Sequence, residues 1–314
     1  MSGESTLRRR TEDGGPPLVS IVVPVLNGED HIGQCIQSLL NAEYDPDRRE
    51  ILVVDNGSTD RTAEVIQSFP VHYLHEARRG PSIARNHGIL ASRGEIVAFT
   101  DADCLATKAW IKEIVSGFTA PDVGGVAGGI LPFPPRTPAE RYAARIRHLS
   151  PERYLAREIF PFAVTANLAF RREVFDVVGL LDIDSPRGGE STDFCTRFFR
   201  STGMRLQLVE RAVVFHRHRS STKEFFLQQW GYGRGHAYLY IKYEDEIPWT
   251  WRKTFLAYAD LGGAILEVAR AGGRYAVGRA GLEDVEFGWF ELVRKVAIRL
   301  GFARESFARG RFYL

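Results

Sequence analysis

Residues 18–24 read LVSIVVP, a short β-branched run that a proline closes, and this stretch decides the fold. Two similar runs follow along the chain, ILVVD at residues 51–55 and IVAFT at residues 96–100. Runs of this kind predict strands that are buried on both faces of a sheet. Helical apolar spacing lies between them, for example from Ile32 to Leu40, and strands that alternate with helices form parallel βαβ units. The sequence therefore predicts an α/β fold in which helices flank a doubly wound, mainly parallel sheet.

The composition is that of an ordinary globular protein, with 314 residues of which 44% are hydrophobic, 25% charged and 11% aromatic. It excludes collagen-like, disordered and disulfide-scaffold proteins. A net charge of +2 is too small for a nucleic-acid-binding protein, so no nucleic-acid partner is expected. Three widely spaced cysteines without a CxxC pair predict neither a disulfide framework nor a structural zinc site, and they favour a cytoplasmic protein.

The chain is expected to have three segments. Residues 1–17 are charged and aperiodic and predict a disordered tail, residues 18–222 carry the sheet domain, and residues 223–314 predict a helical C-terminal extension. No signal peptide and no membrane-spanning run is recognised. Residues 286–314 hold six basic and three acidic residues with interleaved aromatics. This stretch predicts peripheral contact with the inner face of a membrane, with a solvated amphipathic helix as the alternative.

Carboxylates follow two of the predicted strands. Asp101 and Asp103 come directly after IVAFT, and alternate carboxylates beyond a buried strand are costly unless a cation or a polar ligand compensates them. Oxygen ligands favour Mg²⁺ or Mn²⁺, whereas the alternative is a solvated turn that caps the next helix. Asp55 closes a second strand, and the carboxyl ends of parallel strands share one edge of a sheet. We therefore expect a cation and a nucleotide to bind at this edge.

Basic residues surround the start of a helix predicted at residues 81–92. Arg78 and Arg79 precede this helix, and Arg85 follows about one turn later. The free N–H groups and the dipole of a helix N-terminus favour an anion, and phosphate is the natural one. An ordinary basic helix start is the alternative interpretation.

Three segments, VSIVVPVLNGEDHIGQCIQSL, EILVVDNGSTDRTAEVI and RRGPSIARNHGILASRGEIVAFTDADC, resemble the family 2 glycosyltransferases with a GT-A fold. The resemblance extends over roughly residues 18–220. It implies a metal-dependent glycosyltransferase that moves a sugar from a UDP-, GDP- or dTDP-linked donor to an acceptor hydroxyl. The basic aromatic stretch at residues 286–314 favours a saccharide or lipid-linked acceptor in the synthesis of cell-envelope glycan or glycolipid.

The same resemblance implies which residues form the site. The expected nucleotide-sugar-binding residues are Pro24, Asn27, Glu29, Asp55, Arg79, Arg85, Asp101 and Ala102. The expected metal ligands are Asp101, Asp103 and His216, and the metal would neutralise charge on the departing nucleoside diphosphate. His218 is the reserve ligand, since only one of the two histidines is expected to bind and His216 directly follows the apolar run VVF.

The sequence departs from the family at the catalytic base. Residues 188–197 read GGESTDFCTR, so Ser191 stands where many relatives carry an acid. A serine cannot accept a proton at neutral pH without its own base, so Glu190 or Asp193 is expected to serve. Asp193 could instead cap the following helix, whereas Glu190 has no evident structural task, which favours Glu190.

The unusual base leaves alternative functions open. An acid that activates the acceptor for in-line attack gives an inverted product, and a retaining transferase on the same fold is the alternative among enzymes. A non-catalytic sugar-nucleotide or carbohydrate-binding protein is the alternative outside them. A nucleotidyltransferase is less favoured, since PVLNGED after the first strand is a poor phosphate cradle.

The segment QQWGYGRG at residues 228–235 carries three glycines in a helical context. Glycine destabilises a helix interior, so these residues predict close packing or a bend. The segment resembles the helix that covers the donor in processive relatives, and Gln229 and Arg234 are possible donor or acceptor contacts. An aromatic helix stripe packed on the core is the alternative.

Overall fold

The computed structural model describes residues 15–313. The strands are β1 (Val19–Val25), β2 (Arg49–Asp55), β3 (His72–His75), β4 (Ile96–Thr100), β5 (Cys104–Ala106), β6 (Val123–Pro132), β7 (Asn167–Arg171) and β8 (Arg205–His216). The helices are α1 (Ile32–Leu40), α2 (Thr62–Gln67), α3 (Pro81–Ala91), α4 (Trp110–Ser116), α5 (Pro138–Arg145), α6 (Pro151–Leu155), α7 (Arg172–Val178), α8 (Glu190–Thr202), α9 (Thr222–Lys242), α10 (Trp251–Ala276) and α11 (Leu282–Ala308). Of the tail predicted at residues 1–17, residues 1–14 lie outside the described residues.

One mixed sheet contains eight strands in the order β3-β2-β1-β4-β7-β6-β8-β5. The three apolar runs of the sequence form β2, β1 and β4, which are adjacent in the sheet in that order. β1 pairs in parallel with β2 and β4, and β2 pairs in parallel with β3. β7 pairs antiparallel with β4 and β6, and β5 pairs antiparallel with β8. The carboxyl ends of β1, β2 and β4 therefore lie at one edge, which we call the carboxyl edge.

Both faces of the parallel half are covered by apolar side chains. Ile21 and Val23 of β1 belong to one core together with Ile36 of α1. Val22, which lies between them, belongs to a second core together with Phe99 of β4. Because successive strand residues point to opposite faces, this division confirms that the strand is buried on both sides.

The chain forms two compact units. Unit 1 contains the sheet and consists of the described residues up to Leu131, Leu149–Ile183 and Ser191–Arg217. Unit 2 consists of Pro132–His148, Asp184–Glu190 and the described residues from His218 onward. Its aromatic core includes Tyr142 of α5, Phe225 of α9 and Phe290 of α11. Over the described residues, no helix combines the length and the apolar character needed to cross a bilayer.

Two segments beyond the parallel half differ from what their sequence suggests. Residues 205–215 suggest a hairpin or two short strands, but they form the single strand β8, which lies between β6 and β5 in the sheet. Residues 140–158 suggest one helical stretch, but they divide between α5 and α6. Arg147 and Leu149 adopt positive φ angles of 49° and 75°, which no helix accommodates, and Pro151 then begins a new helix.

Candidate active site

The loops that follow β1 and β2 are hydrogen-bonded to each other at the carboxyl edge. Asn27 adopts a φ of 51°, and its Oδ1 accepts a hydrogen bond from the Thr59 backbone N–H at 2.9 Å. The Asn27 N–H donates to Ser58 Oγ at 2.9 Å. Glu29 Oε2 accepts from the Arg61 N–H at 3.0 Å and from Arg61 Nε at 3.2 Å. Asn27 and Glu29, both expected to line a nucleotide pocket, thus hold two loops of the rim together.

Asp55 lies at the end of β2 and is buried. Its Oδ1 accepts from the Ser58 N–H at 2.9 Å, and its Oδ2 accepts from the Tyr73 hydroxyl at 3.2 Å. Burial and the negative charge of Asp55 raise the pKa of Tyr73, so this phenol stays a donor. Pro24 is half-buried in β1, one register position before the Val25–Asp55 pair. Tyr73 is a residue of the edge that the sequence did not reveal, because β3 carries no strong apolar pattern.

Asn56 is a second residue that the sequence did not reveal. Its side chain is buried and donates to the carbonyl oxygens of Glu76 at 3.3 Å and Arg78 at 2.7 Å. Its Oδ1 accepts from the Gly80 N–H at 2.7 Å. These bonds fix the segment that leads into α3. The sequence shows only an amide directly after a strand. The residues that this amide contacts are distant from it along the chain.

The two arginines expected near the phosphates have different surroundings. Arg79 is exposed, and its guanidinium donates to the Gly57 carbonyl at 3.1 Å. The Arg85 side chain is only 5% exposed and donates from Nη2 to Asp101 Oδ1 at 2.7 Å. The Asp101 side chain is 29% exposed. Arg85 therefore positions Asp101, while Arg79 faces solvent at the same edge.

The structure brings Asp103 and His216 together, with 3.4 Å between Oδ1 and Nε2. The pairing of β5 with β8 causes this contact, because Cys104 lies opposite His216 and the Arg217 N–H donates to the Asp103 carbonyl at 3.0 Å. Ligand atoms of Asp103, Cys104 and His216 all lie within 4.8 Å of one another. The strands that form this cluster are distant along the chain, so no local pattern pointed to Cys104.

The chemistry of this cluster suits a divalent cation bound by oxygen and nitrogen. Burial, together with the nearby charges of Asp103 and Asp101, raises the pKa of the Cys104 thiol well above its usual range. The Asp103 carboxylate and the His216 imidazole supply the oxygen and nitrogen donors of the cluster, beside the buried Cys104 thiol. A carboxylate oxygen and an imidazole nitrogen together form a donor set for a divalent cation.

Ala102 and His218 are the last two of the nucleotide- and metal-binding candidates that the sequence singled out. Ala102 is half-buried and packs against the core of unit 1. His218 lies beyond the end of β8 and belongs to unit 2, where its ring centroid is 6.1 Å from that of His148.

Both candidates for the catalytic base are buried. Glu190 is the first residue of α8, and its Oε2 accepts from the Gly188 N–H at 2.6 Å, so it does have a structural contact, contrary to expectation. Asp193 lies one turn inside α8 and pairs with Arg197 Nε at 2.9 Å. The alternative that Asp193 caps this helix is wrong, because the helix begins three residues earlier. Glu190 belongs to unit 2 and Asp193 to unit 1.

The glycines of α9 allow close packing against α11, as the sequence predicts. A Cβ atom at Gly233 would lie 2.1 Å from the Ile298 carbonyl oxygen. Of the two polar residues expected in this segment, Gln229 is buried, and Arg234 pairs with Glu305 at 2.8 Å. The ion pair gives Arg234 a structural role within unit 2, and the predicted contact with donor or acceptor stays a prediction.

Comparison with known sequences identifies a matching family. The profile of glycosyl transferase family 2 matches residues 20–179. Glycosyltransferase AglE of Haloferax volcanii is 34% identical over 171 residues, which is 52% of this chain and 55% of that protein. The pre-mycofactocin glycosyltransferase of Mycobacterium tuberculosis is 26% identical over 239 residues, which is 73% of this chain and 48% of that protein. The chain thus spans about half the length of these relatives.

Solved structures share the fold. The mannosyltransferase PcManGT from Pyrobaculum calidifontis, in complex with GDP-Man and Mn²⁺, matches 93% of this chain and 88% of its own, with a TM-score of 0.65 and 18% identity. Glucosyl-3-phosphoglycerate synthase from Mycobacterium tuberculosis, in complex with Mg²⁺ and UDP, matches 71% of this chain and 78% of its own, with a TM-score of 0.52 and 19% identity. The predicted GT-A fold is confirmed.

Proposed function

The chain belongs to glycosyl transferase family 2, and from this premise we propose that it transfers a sugar from a nucleotide-diphosphate donor to an acceptor hydroxyl. The observation that carries the proposal is the convergence of Asp103 and His216 at 3.4 Å. Asp55 is the last residue of β2 and Asp101 directly follows β4, so the proposed cation and nucleotide ligands belong to one edge of the sheet. Ligands of open α/β sheets bind at the carboxyl ends of the strands.

The proposed donor carries UDP, GDP or dTDP, and the proposed cation is Mn²⁺ or Mg²⁺. In support, the similar fold of PcManGT holds GDP-Man with Mn²⁺, and that of glucosyl-3-phosphoglycerate synthase holds UDP with Mg²⁺. Asp101, Asp103 and His216 would hold the cation, which when bound neutralises charge on the diphosphate.

The chain's own residues would bind and orient the nucleotide. Arg85 keeps Asp101 in place through its 2.7 Å ion pair, and the exposed Arg79 offers positive charge to the phosphates. Asp55 is anchored by two donors at the end of β2, where a base would be recognised. The remaining proposed nucleotide-sugar-binding residues are Pro24, Asn27, Glu29 and Ala102.

We favour Glu190 as the base that removes the proton from the acceptor hydroxyl, with Asp193 as the alternative. Asp193 is fully buried and its Oδ2 is already bound to Arg197 Nε, which leaves it less accessible to an acceptor hydroxyl. One displacement on the face opposite the leaving diphosphate would give an inverted product. A retaining reaction would give the other anomer, and product stereochemistry distinguishes the two.

The acceptor and the location belong to the same proposal. We expect a saccharide or lipid-linked acceptor in cell-envelope glycan or glycolipid synthesis, and a cytoplasmic enzyme at the inner face of the membrane. Residues 286–314 were the proposed contact with that membrane. Phe290 and Val293 of this stretch, however, are buried in the core of unit 2, which leaves fewer apolar side chains for lipid.

Calorimetric titration of UDP, GDP and dTDP, with and without Mn²⁺, tests the proposal on the wild type, Asp103→Asn and a control. The control is Asp122→Asn, which removes an exposed carboxylate of unit 1 that pairs with Arg205. We expect Mn²⁺-dependent binding of one nucleotide to the wild type and the control, and a loss of at least roughly 10-fold in Asp103→Asn.

Hydrolysis of the sugar donor that carries the best-binding nucleotide then tests for turnover. Binding with hydrolysis supports the transferase. Binding without hydrolysis, repeated with a panel of saccharide and lipid-linked acceptors, favours a non-catalytic sugar-nucleotide-binding protein. Absence of all nucleotide binding contradicts the proposal.

A further inference from the structure

Helix α10 leaves most of its surface uncovered. Of its 26 residues, Ala264 and Ala271 are the buried ones. These two alanines face α11, where a Cβ at Gly288 would lie 3.6 Å from Val268, and Lys295 pairs with Asp260 at 2.8 Å. The inner side of the helix is therefore occupied within unit 2, and the outer side is open.

Large apolar side chains occupy the outer side. Trp251 is 81% exposed, Phe255 64%, Tyr258 46%, Ile265 54% and Leu266 56%. Their separations of four, three, seven and one residues keep them on one face of a helix, within an arc of about 100° at 3.6 residues per turn. We call these five residues the α10 stripe. Single exposed apolar residues are ordinary, but a continuous stripe along a helix marks an interaction surface.

Positive charge borders the stripe. Arg252, Arg270 and Arg274 are exposed and share one flank of the helix, about 40–80° beyond Leu266 at 100° per residue. The acids of α10 lie farther round, and Asp260 is already paired with Lys295. The surface thus combines an apolar strip with a row of arginines.

We propose that the α10 stripe docks onto an anionic lipid surface, with the helix lying in the plane of the interface. Trp and Tyr favour the boundary between headgroups and acyl chains, and the long arginine side chains reach back to lipid phosphates. A second copy of this chain is the competing occupant, but stripes that face each other in an antiparallel pair would bring two rows of arginines together without added anions. This proposal does not depend on the sugar-transfer activity. It concerns α10, which precedes residues 286–314, the stretch that the sequence suggested as the membrane contact.

Vesicle co-sedimentation of the full chain tests the proposal, with phosphatidylcholine vesicles that contain or lack phosphatidylglycerol. The test variant is Phe255→Glu/Leu266→Glu, and the matched control is Val177→Glu, an exposed apolar residue of α7 in unit 1. We expect binding to anionic vesicles to fall at least ~30-fold in the double variant, and to remain within about threefold in the control. The triple variant Arg252→Gln/Arg270→Gln/Arg274→Gln is expected to lose roughly 10- to 100-fold, and the wild type to weaken with salt.

A fluorescence measurement tests the proposal without relying on the folding of the double glutamate variant. Lipids with brominated acyl chains should quench the Trp251 emission, measured as the difference between the wild type and Trp251→Phe. Failure of the wild type to bind anionic vesicles, or equal binding by the double variant, overturns the proposal. A dimer in analytical ultracentrifugation that the double variant dissociates, without vesicle binding by the wild type, also overturns it and assigns the stripe to a second copy.

Discussion

The two ends of the parallel half of the sheet use the same kind of ion pair in opposite ways. At the carboxyl edge the Arg85 side chain is 5% exposed and its partner Asp101 is 29% exposed. At the amino end Glu50 is 5% exposed and its partner Arg93 is 73% exposed. The arginine is thus the buried member at one end, and the carboxylate is the buried member at the other.

This difference distinguishes Glu50, a structural carboxylate, from Asp101, whose carboxylate is accessible to a ligand. Glu50 Oε1 accepts from Ser20 Oγ at 2.6 Å and from the Arg93 N–H at 2.5 Å, and its Oε2 accepts from Arg93 Nε at 3.1 Å. The chain itself thus supplies donors to both oxygens of Glu50. Asp101 is held by Arg85 from within the protein but remains partly exposed, so its carboxylate is accessible to the proposed cation or ribose. Both pairs contain a carboxylate and an arginine, but only the carboxyl edge leaves its carboxylate open to a ligand.

The substitution Asp101→Asn should have the largest effect on this contrast. It preserves the size of the side chain but removes the negative charge that faces the proposed cation and that pairs with Arg85. We expect kcat/KM for donor hydrolysis or transfer to fall roughly 100- to 1,000-fold, equivalent to about 3–4 kcal/mol of transition-state stabilisation. Steady-state kinetics with the donor identified by titration provides the measurement.

The matched control is Glu50→Gln, the same type of change at the other end of the parallel strands. It should lower the melting temperature but leave kcat/KM within about threefold, since Glu50 lies at the end opposite to the proposed ligands. Equal losses of kcat/KM in the two variants would show that the two ends do not differ in function.

A second prediction concerns the tightness of the amino end. A Cβ atom at Gly94 would lie 2.6 Å from both the backbone nitrogen and the Oγ of Ser20, so Gly94→Ala forces the backbone beside β1 to move. We expect a loss of about 2–3 kcal/mol in the free energy of unfolding, measured by urea denaturation. The control Gly263→Ala meets nothing within 4 Å on α10 and should be neutral or stabilising. A loss as small in Gly94→Ala as in the control would contradict close packing at this end.

The features of the carboxyl edge that could be predicted from sequence are local ones. The runs LVSIVVP, ILVVD and IVAFT carry their own signal as buried strands, and the acids that follow them are adjacent in sequence. Parallel pairing then places these acids at one edge without knowledge of any distant contact. The strands β1, β2 and β4 and the grouping of Asp55, Asp101 and Asp103 therefore followed from the sequence.

What the sequence did not reveal depends on contacts between distant residues. Asn167 of β7 is buried, donates to the carbonyl oxygens of Gly129 and Ala212, and accepts from Trp110 Nε1 at 2.8 Å. It thereby joins three strands and a helix that are separated by dozens of residues. No local pattern specifies such a network, nor the β5–β8 register that brings Cys104 beside His216. The Glu50 network at the amino end is of the same kind.

The smallest predicted effect is the pH dependence of the amino-end pair. Burial raises the pKa of Glu50, but hydrogen bonds from Ser20 and Arg93, with the positive charge of Arg93, outweigh it and hold the pKa below the ordinary value of 4.5. A carboxyl group with a lowered pKa in the folded state stabilises the protein above its unfolded-state pKa, and this contribution disappears as the pH falls through the folded-state pKa. Replacement by a neutral amide removes this contribution wherever it is present, that is, above the unfolded-state pKa.

Glu50→Gln should therefore lower the free energy of unfolding by about 1 kcal/mol at neutral pH, after allowance for solvent screening around the exposed Arg93. The difference between the variant and the wild type should shrink as the pH falls below 4.5, the ordinary pKa of Glu50. Urea denaturation at a series of pH values measures the difference, and Glu267→Gln, at an exposed position of α10, is the control. A difference that stays constant down to about pH 2, well below the unfolded-state pKa, would show that the amide disrupts packing instead. The amino end would then be stabilised by packing alone, and it would not differ from the carboxyl edge in how it uses a charged carboxylate.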